Sequence, residues 1–125
     1  MDITKTIADL KQEPGFTENV GMILAHVGVV RGFSRNTRQK VAGMTVTPDL
    51  ATIEAIRCEL QARPGIFRIL VQAESGAFVP GDTLLYLLVA GDIREHVKPV
   101  LSELLDRIKA EAVAKQEAFT DSREV

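Results

Sequence analysis

The sequence predicts an α+β fold in one domain, residues 1–125, in which antiparallel strand pairs pack against helices. Apolar, β-branched segments occur in adjacent pairs, and segments with helical spacing separate those pairs. The resulting order is helix, two strands, helix, two strands and a long helix. A doubly wound parallel sheet would instead alternate single strands with helices.

The N-terminal segment, residues 1–18, is expected to be a helix followed by a turn. Ile3, Ile7 and Leu10 recur at helical spacing, and Pro14-Gly15 ends the periodic segment.

The first strand pair is expected on either side of a basic loop. Residues 19–30, NVGMILAHVGVV, are too continuously apolar for an amphipathic helix and predict a mostly buried strand. Residues 40–46 predict a second strand that pairs with the first. Thr47 followed by Pro48 is typical of a helix N-cap and first helical position. The helix that follows carries an apolar stripe of Leu50, Ile53, Ile56 and Leu60.

The second strand pair is expected over residues 66–75 and 83–90. Between the two strands, Pro80-Gly81 fits the central positions of a type II turn.

A long helix is predicted from Asp92, which has capping-box spacing to Glu95, to about Phe119. Pro99 should kink this helix or mark its true start. Residues 120–125 are expected to form a frayed tail.

Composition narrows the class of protein. The net charge of -2 and the pI near 5.7 count against wholesale nucleic-acid binding. A single cysteine excludes an internal disulfide framework, and no metal-binding motif occurs, so we expect neither a metal nor a cofactor. The charged N-terminus and the lack of a membrane-length apolar run predict a cytoplasmic protein.

The loop between the first two strands gathers four cations without an acid, at Arg31, Arg35, Arg38 and Lys40. Arginine forks suit phosphate and carboxylate oxygens, so this loop is a candidate anion site. A solvated hairpin loop is the simpler interpretation of the last three. Arg31 stands apart, because it directly follows the strand that would hold it in place.

Three further residues could carry chemistry. Arg94 would lie on the apolar face of the last helix if that helix were continuous, or at its exposed first turn. Lys109 flanks the same apolar face. A desolvated lysine gives up its proton more readily and can act as a base or nucleophile. The alternative is a surface lysine that extends from the flank of the helix into water. His26, within an apolar strand, is typical of a hydrogen-bonded core histidine.

The order and spacing of several motifs carry a family resemblance. Gly28-Val29-Val30-Arg31 ends a strand before a polar loop, and residues 76–82, GAFVPGD, precede an apolar strand. Arg94 opens the last helix, Lys109 follows fifteen positions later, and Lys115-Gln116-Glu117 lies near the end. Over about residues 20–117 the chain resembles the large, catalytic subunit of molybdopterin synthase, the MoaE family.

The resemblance implies an α/β-hammerhead-like fold and a sulfur-transferring enzyme of molybdenum cofactor biosynthesis. The family converts cyclic pyranopterin monophosphate into molybdopterin by inserting two sulfurs as a dithiolene. The sulfur comes from the C-terminal Gly-Gly thiocarboxylate of a small ubiquitin-like partner, and the large subunit forms a homodimer with one small subunit at each end. The resemblance implies catalytic roles for Lys109 and Lys115 and substrate binding by Arg31 and Arg94, to which the basic loop adds Arg38.

The chain also departs from the family pattern. Ile93 replaces the family histidine before Arg94, and the segment between the two lysines, residues 110–114, is one residue shorter than usual. On an unbroken helix, six positions turn by about 240°, so Lys115 would point away from Lys109.

These departures leave two alternatives to the enzyme. One is a catalytically degenerate MoaE-like protein that binds a ubiquitin-like partner or a pterin without sulfur transfer. The other is an unrelated α+β dimer whose basic loop contacts nucleic acid, which the acidic pI and the lack of tryptophan count against.

Overall fold

The computed structural model describes residues 1–120, and it confirms the α+β class with antiparallel strands. Two three-stranded sheets pack with helices. The elements have these bounds: α1 Ile3–Leu10, α2 Phe16–Asn19, β1 Met22–Val29, β2 Val41–Pro48, α3 Leu50–Gln61, β3 Ile66–Ala73, β4 Gly76–Phe78, β5 Thr83–Gly91, α4 Arg94–Arg107, a π-helical turn Ile108–Ala112, and β6 Val113–Phe119. The π-helical turn connects α4 to β6.

The sheet topology corrects the predicted pairing of the first two strands. The strand orders are β1-β5-β3 and β4-β2-β6, so β1 and β2 lie in different sheets. The basic loop does turn back on itself, through an antiparallel bridge between Phe33 and Lys40. The end of β1, however, is held by the turn before β5: the Val30 amide donates to the Asp82 carbonyl, and the Gly81 amide donates to the Val30 carbonyl.

The turn before β5 agrees with the sequence. The Asp82 amide donates to the Val79 carbonyl at 3.0 Å, and Gly81 has φ of +97°. This positive φ is what the third position of a type II turn requires, and glycine adopts it without strain. The first half of the predicted turn region forms the short strand β4 on the edge of β2.

The start of α3 differs from the prediction that placed Thr47 at the N-cap and Pro48 inside the helix. Pro48 is the last residue of β2, opposite Val113. Asp49 is the N-cap, and its Oδ1 accepts a hydrogen bond from the Thr52 amide at 3.1 Å. The aspartate carboxylate satisfies an amide that the first helical turn leaves without a partner.

The start of α4 also differs, because Asp92 does not cap it. The N-cap is Ile93, which offers no side-chain hydrogen bond. The Asp92 carboxylate accepts instead from the Ile93 amide at 2.6 Å and contacts His96 Nδ1 at 2.8 Å. Pro99 lies inside α4 and does not mark its start.

The largest correction concerns the last helix, which was expected to reach Phe119. It ends at Arg107, and after the π-helical turn the chain forms β6 along the edge of β2. The Ala112 carbonyl accepts from the Asp49 amide at 2.6 Å, so the end of the turn is tied to the start of α3. Pairing with β2 gives hydrogen-bond partners to the backbone groups on one side of β6, and this tertiary context overrides a local sequence that favours helix.

The predicted frayed tail lies almost entirely outside the described residues. Thr120 is described, and its amide donates to the Lys40 carbonyl at 3.1 Å. In residues 1–120, no helix has the length and apolar character needed to cross a membrane.

The core lies between the β1-β5-β3 sheet and the helices α3 and α4. Its fully buried side chains include Leu60, Ile69, Leu87, Leu104 and Ile108. The same cluster continues through Val46 and Ala112 into the second sheet. The core therefore reaches the π-helical turn that separates α4 from β6.

Candidate active site

A cavity of about 220 Å³ collects most of the predicted site residues. Arg31, Lys109 and Lys115 line it, together with His26 and Gly28 of β1 and Leu85 of β5. This volume lies below the roughly 300–1,000 Å³ typical of small-molecule pockets. It is sufficient for a phosphate or carboxylate group and part of what that group is attached to.

Three separate parts of the chain bring the three cations together. Arg31 is the second residue after the end of β1, and it follows Val30, whose backbone hydrogen bonds hold it to the turn before β5. Lys109 is the second residue of the π-helical turn, and Lys115 is the third residue of β6, opposite Val46 of β2. The expectation that Lys115 points away from Lys109 is therefore wrong, because the chain between them leaves the helix and changes direction.

The π-helical turn is anchored on both sides of Lys109. Ile108 is fully buried in the core, and Ala112 is 2 % exposed. At the end of α4, Arg107 donates to Glu59 of α3 at 2.8 Å and to Glu111 at 3.1 Å. These contacts fix the position of the Lys109 backbone, from which its side chain extends to the cavity.

The cavity has a positive electrostatic character that the whole chain lacks. Its lining contributes three cations and no carboxylate. Desolvation lowers the pKa of Lys115, and repulsion from Lys109 and then Arg31 lowers it further, against a smaller opposing effect of Glu117. The Lys115 residue is nevertheless exposed, so water screens part of this repulsion.

His26 is the residue that sequence reasoning placed in the core. It is half-buried and lines the cavity. Desolvation is the largest cause that lowers its pKa, followed by the charges of Lys109 and Lys115. Alternation along β1 puts His26 on the same face as Val30, but only the structure shows that β6 and the π-helical turn face it.

Arg38 and Arg31 both contact the aromatic ring of Phe33 in the basic loop. The guanidinium carbon of Arg38 lies 4.4 Å from the Phe33 ring centroid, and that of Arg31 lies 5.9 Å from it. Arg38 has φ of +60°, in the left-handed region that non-glycine residues seldom adopt. Arg38 does not line the cavity; it contacts the same ring as Arg31, which does.

Arg94 lies apart from the other predicted site residues within this chain. Its side chain is 78 % exposed at the first turn of α4, with Nε 3.3 Å from a carboxylate oxygen of Glu95. Of the two placements that the sequence left open, the structure has the exposed helix start.

A larger cavity, about 660 Å³, lies between α2 and the ends of β3 and β5. Its charged lining residues are Glu18 and Asp92. Because both are acidic, this cavity does not suit an anion, and the smaller cationic cavity remains the candidate site.

Comparison with known protein families decides the classification. The sequence profile of the MoaE protein family matches residues 1–111, most of the chain. This chain belongs to the MoaE family. No curated protein sequence matches it significantly.

Solved structures share the MoaE fold at low sequence identity. Molybdopterin cofactor biosynthesis protein E from Burkholderia multivorans ATCC 17616 is 22 % identical, with a TM-score of 0.73, over 100 % of this chain and 87 % of that chain. Molybdopterin synthase from Staphylococcus aureus is 17 % identical, with a TM-score of 0.70, over 82 % and 77 %. In the complex of subunits 1 and 2 of the molybdopterin-converting factor from Helicobacter pylori 26695, the matching chain is 17 % identical, with a TM-score of 0.66, over 98 % and 86 %.

These matches confirm the family and fold expected from the motifs. The MoaE profile ends at Glu111, before Lys115 and β6. The placement of Lys115 in the cavity therefore depends on the structure.

Proposed function

We propose that this MoaE protein is the large subunit of a molybdopterin synthase. It would insert dithiolene sulfur into cyclic pyranopterin monophosphate, using the C-terminal thiocarboxylate of a small ubiquitin-like partner. The observation that carries the proposal is the convergence of Arg31, Lys109 and Lys115 in one cavity. Family membership supplies the reaction class, and the structural neighbours, a molybdopterin synthase and a complex of molybdopterin-converting factor subunits, agree with it.

The charge of the cavity suits this reaction. Sulfur transfer brings together a phosphate-bearing pterin and a thiocarboxylate, which repel each other because both are anions. Three cations in a small, partly desolvated space offset that repulsion, and ionic hydrogen bonds are about twice as strong as neutral ones. The cavity is too small for both reactants in full, so it would hold the reacting ends.

Each residue has a distinct role in the proposal. Arg31, held beside the end of β1, would bind the phosphate or the thiocarboxylate through its planar fork. Lys109 would lie at the reacting carbon and sulfur and take part in proton transfer. Lys115, whose pKa is lowered, would more readily supply a neutral amine. Arg38 would support Arg31, because both contact the Phe33 ring. Arg94 would also bind substrate, although it does not line the cavity formed by its own chain.

A specific observation also favours a second function, binding without sulfur transfer. Arg94 lies away from the cavity, and Ile93, in place of the family histidine, is 49 % exposed. A MoaE-like scaffold that binds the small partner, as a homodimer with one partner at each end, would keep the cavity without turning substrate over.

A turnover assay tests the proposal. The purified protein, the pyranopterin phosphate and a thiocarboxylated small partner are mixed, and dithiolene product is followed. We expect product from the wild type, little or none from Lys109→Ala, and wild-type rates from Lys11→Ala, which removes an exposed lysine of the N-terminal segment. Thermal unfolding of both variants shows whether they are folded.

Two outcomes would contradict the enzymatic proposal. Full activity of a folded Lys109→Ala variant would remove the lysine from the mechanism. No product from the wild type, together with a stable complex with the small partner, would favour the binding function instead.

A further inference from the structure

The cavity holds a fourth titratable group, His26, which the proposed reaction does not yet use. His26 lies on β1, at the edge of its sheet, where a neighbouring strand covers only one side. Two residues further along the same face is Gly28. A Cβ atom at Gly28 would lie 3.7 Å from His26 Nε2, so the glycine leaves space beside that ring nitrogen.

The groups that face His26 are cationic or apolar. Lys109 comes from the π-helical turn and Lys115 from β6, while Arg31 follows β1 itself. The cavity residues from β5 are Leu84 and Leu85, and β2 contributes Met44.

The second histidine provides a contrast. His96 Nδ1 lies 2.8 Å from an oxygen of Asp92, so this histidine has a carboxylate beside it. At His26, burial lowers the pKa, and the charges of Lys109 and Lys115 lower it further. Without a bound anion, burial and these lysines therefore favour the neutral imidazole of His26, which can accept a proton.

We propose that His26 takes up a proton when a tetrahedral oxyanion of the phosphate class binds beside Arg31, Lys109 and Lys115. The bound dianion compensates the lysine charges that disfavour the imidazolium, and it offers the new N–H an acceptor. By linkage, protonation of His26 strengthens binding of the anion to the same extent that the anion favours protonation. His26 thus adds a fourth positive charge only when the cavity is occupied.

This inference deepens the proposed function, because it identifies which part of the substrate the cavity holds. It rests on that function only for the identity of the natural anion. The coupling itself involves residues of this chain alone, so it can be measured without the small partner and without turnover.

Nuclear magnetic resonance of the two histidine rings tests the coupling. Sulfate is the probe, because it remains a dianion between about pH 5 and pH 8, where imidazole titrates. The ring signals are assigned with His96→Gln and followed against pH, with and without saturating sulfate, at constant ionic strength. We expect sulfate to raise the pKa of His26 by about one unit, which corresponds to about tenfold tighter sulfate binding to the protonated form.

Variants of the cavity separate this effect from general salt binding. In Lys115→Gln the pKa of His26 should be higher without sulfate, and sulfate should move it less. Lys11→Gln, which removes the same charge far along the chain, should behave as the wild type. The pH dependence of sulfate affinity should flatten in His26→Phe and in His26→Gln, and the second variant keeps a polar side chain in case phenylalanine disturbs the cavity.

Three results would overturn the inference. The first is an unchanged His26 titration at saturating sulfate, and the second is no sulfate binding up to the highest sulfate concentration at which the protein stays soluble. The third is a pH dependence of sulfate affinity that is the same in both His26 variants as in the wild type. A shift of His26 caused by diglycine but not by sulfate would also overturn it, because the cavity would then hold a peptide carboxylate. Failure of the turnover assay with intact coupling would instead refute only the enzymatic function.

Discussion

Ile108 connects the hydrophobic core to the cationic cavity, so Ile108→Ala should weaken both stability and anion binding. Ile108 is fully buried, belongs to the core cluster and begins the π-helical turn. The next residue, Lys109, lines the cavity. Truncation would leave a void beneath the turn, and the turn would lose the contact that fixes the backbone of Lys109.

The size of the stability loss follows from the burial. Truncating a fully buried isoleucine to alanine costs roughly 2–5 kcal/mol, and we take ~3 kcal/mol from within this range. An unfolding entropy of about 2.1 cal/mol/K per residue over 125 residues gives roughly 0.26 kcal/mol/K. The expected decrease in Tm is therefore about 11 °C.

The loss of binding is worked from the charges. A hydrogen bond to a charged group contributes about 1.5–3 kcal/mol, so displacing Lys109 should weaken sulfate binding by at least about tenfold. Leu104→Ala is the matched control, because Leu104 is equally buried in the same cluster but lies within α4, before the turn. It should lower Tm by a similar amount and leave sulfate binding near the wild-type value.

Thermal unfolding and sulfate titration, the latter well below the Tm of each variant, measure the two effects. Equal loss of sulfate binding in Ile108→Ala and Leu104→Ala would mean that general loosening of the core, not the π-helical turn, controls the cavity. Unchanged binding in Ile108→Ala would refute the role of Ile108 in placing Lys109.

Two further predictions concern charge and capping. Burial, Lys109 and Arg31 lower the pKa of Lys115, so its ammonium destabilises the folded state at every pH below its ordinary pKa. Lys115→Gln should therefore raise Tm at low salt by on the order of 1–2 °C and weaken sulfate binding. Lys11→Gln should change neither. Asp49→Ala removes the N-cap of α3 and should lower Tm by about 4 °C at pH 7. Hydrogen bonds from Thr52 lower the pKa of Asp49, so this stabilisation is present above its ordinary pKa of 3.8 and is lost as the pH falls through the lowered value. Thermal unfolding at about pH 2 should therefore show a smaller difference in Tm between the wild type and Asp49→Ala. A difference in Tm that stays constant with pH would contradict the capping role.

Local patterns in the sequence were sufficient for most of the elements. The helical spacing of Ile3, Ile7 and Leu10, the apolar runs of β1 and β5 and the Pro80-Gly81 turn all correspond to elements of the structure, because each signal arises within a few residues. The order of the motifs also identified the family. Arg31 and Lys109 belong to those motifs, and both line the candidate cavity; their roles stay a prediction.

The tertiary structure alone decided the pairing of strands and the course of the last segment. The alanines and charged residues of segment 108–119 favour a helix locally. Residues 113–119 nevertheless form a strand, because they pair with an edge of β2. Hydrogen bonds between distant strands leave no trace in local periodicity. The same change of direction turns Lys115 toward Lys109 and encloses His26, so the composition of the cavity depends on contacts between β1, the π-helical turn and β6 that no single stretch of sequence encodes.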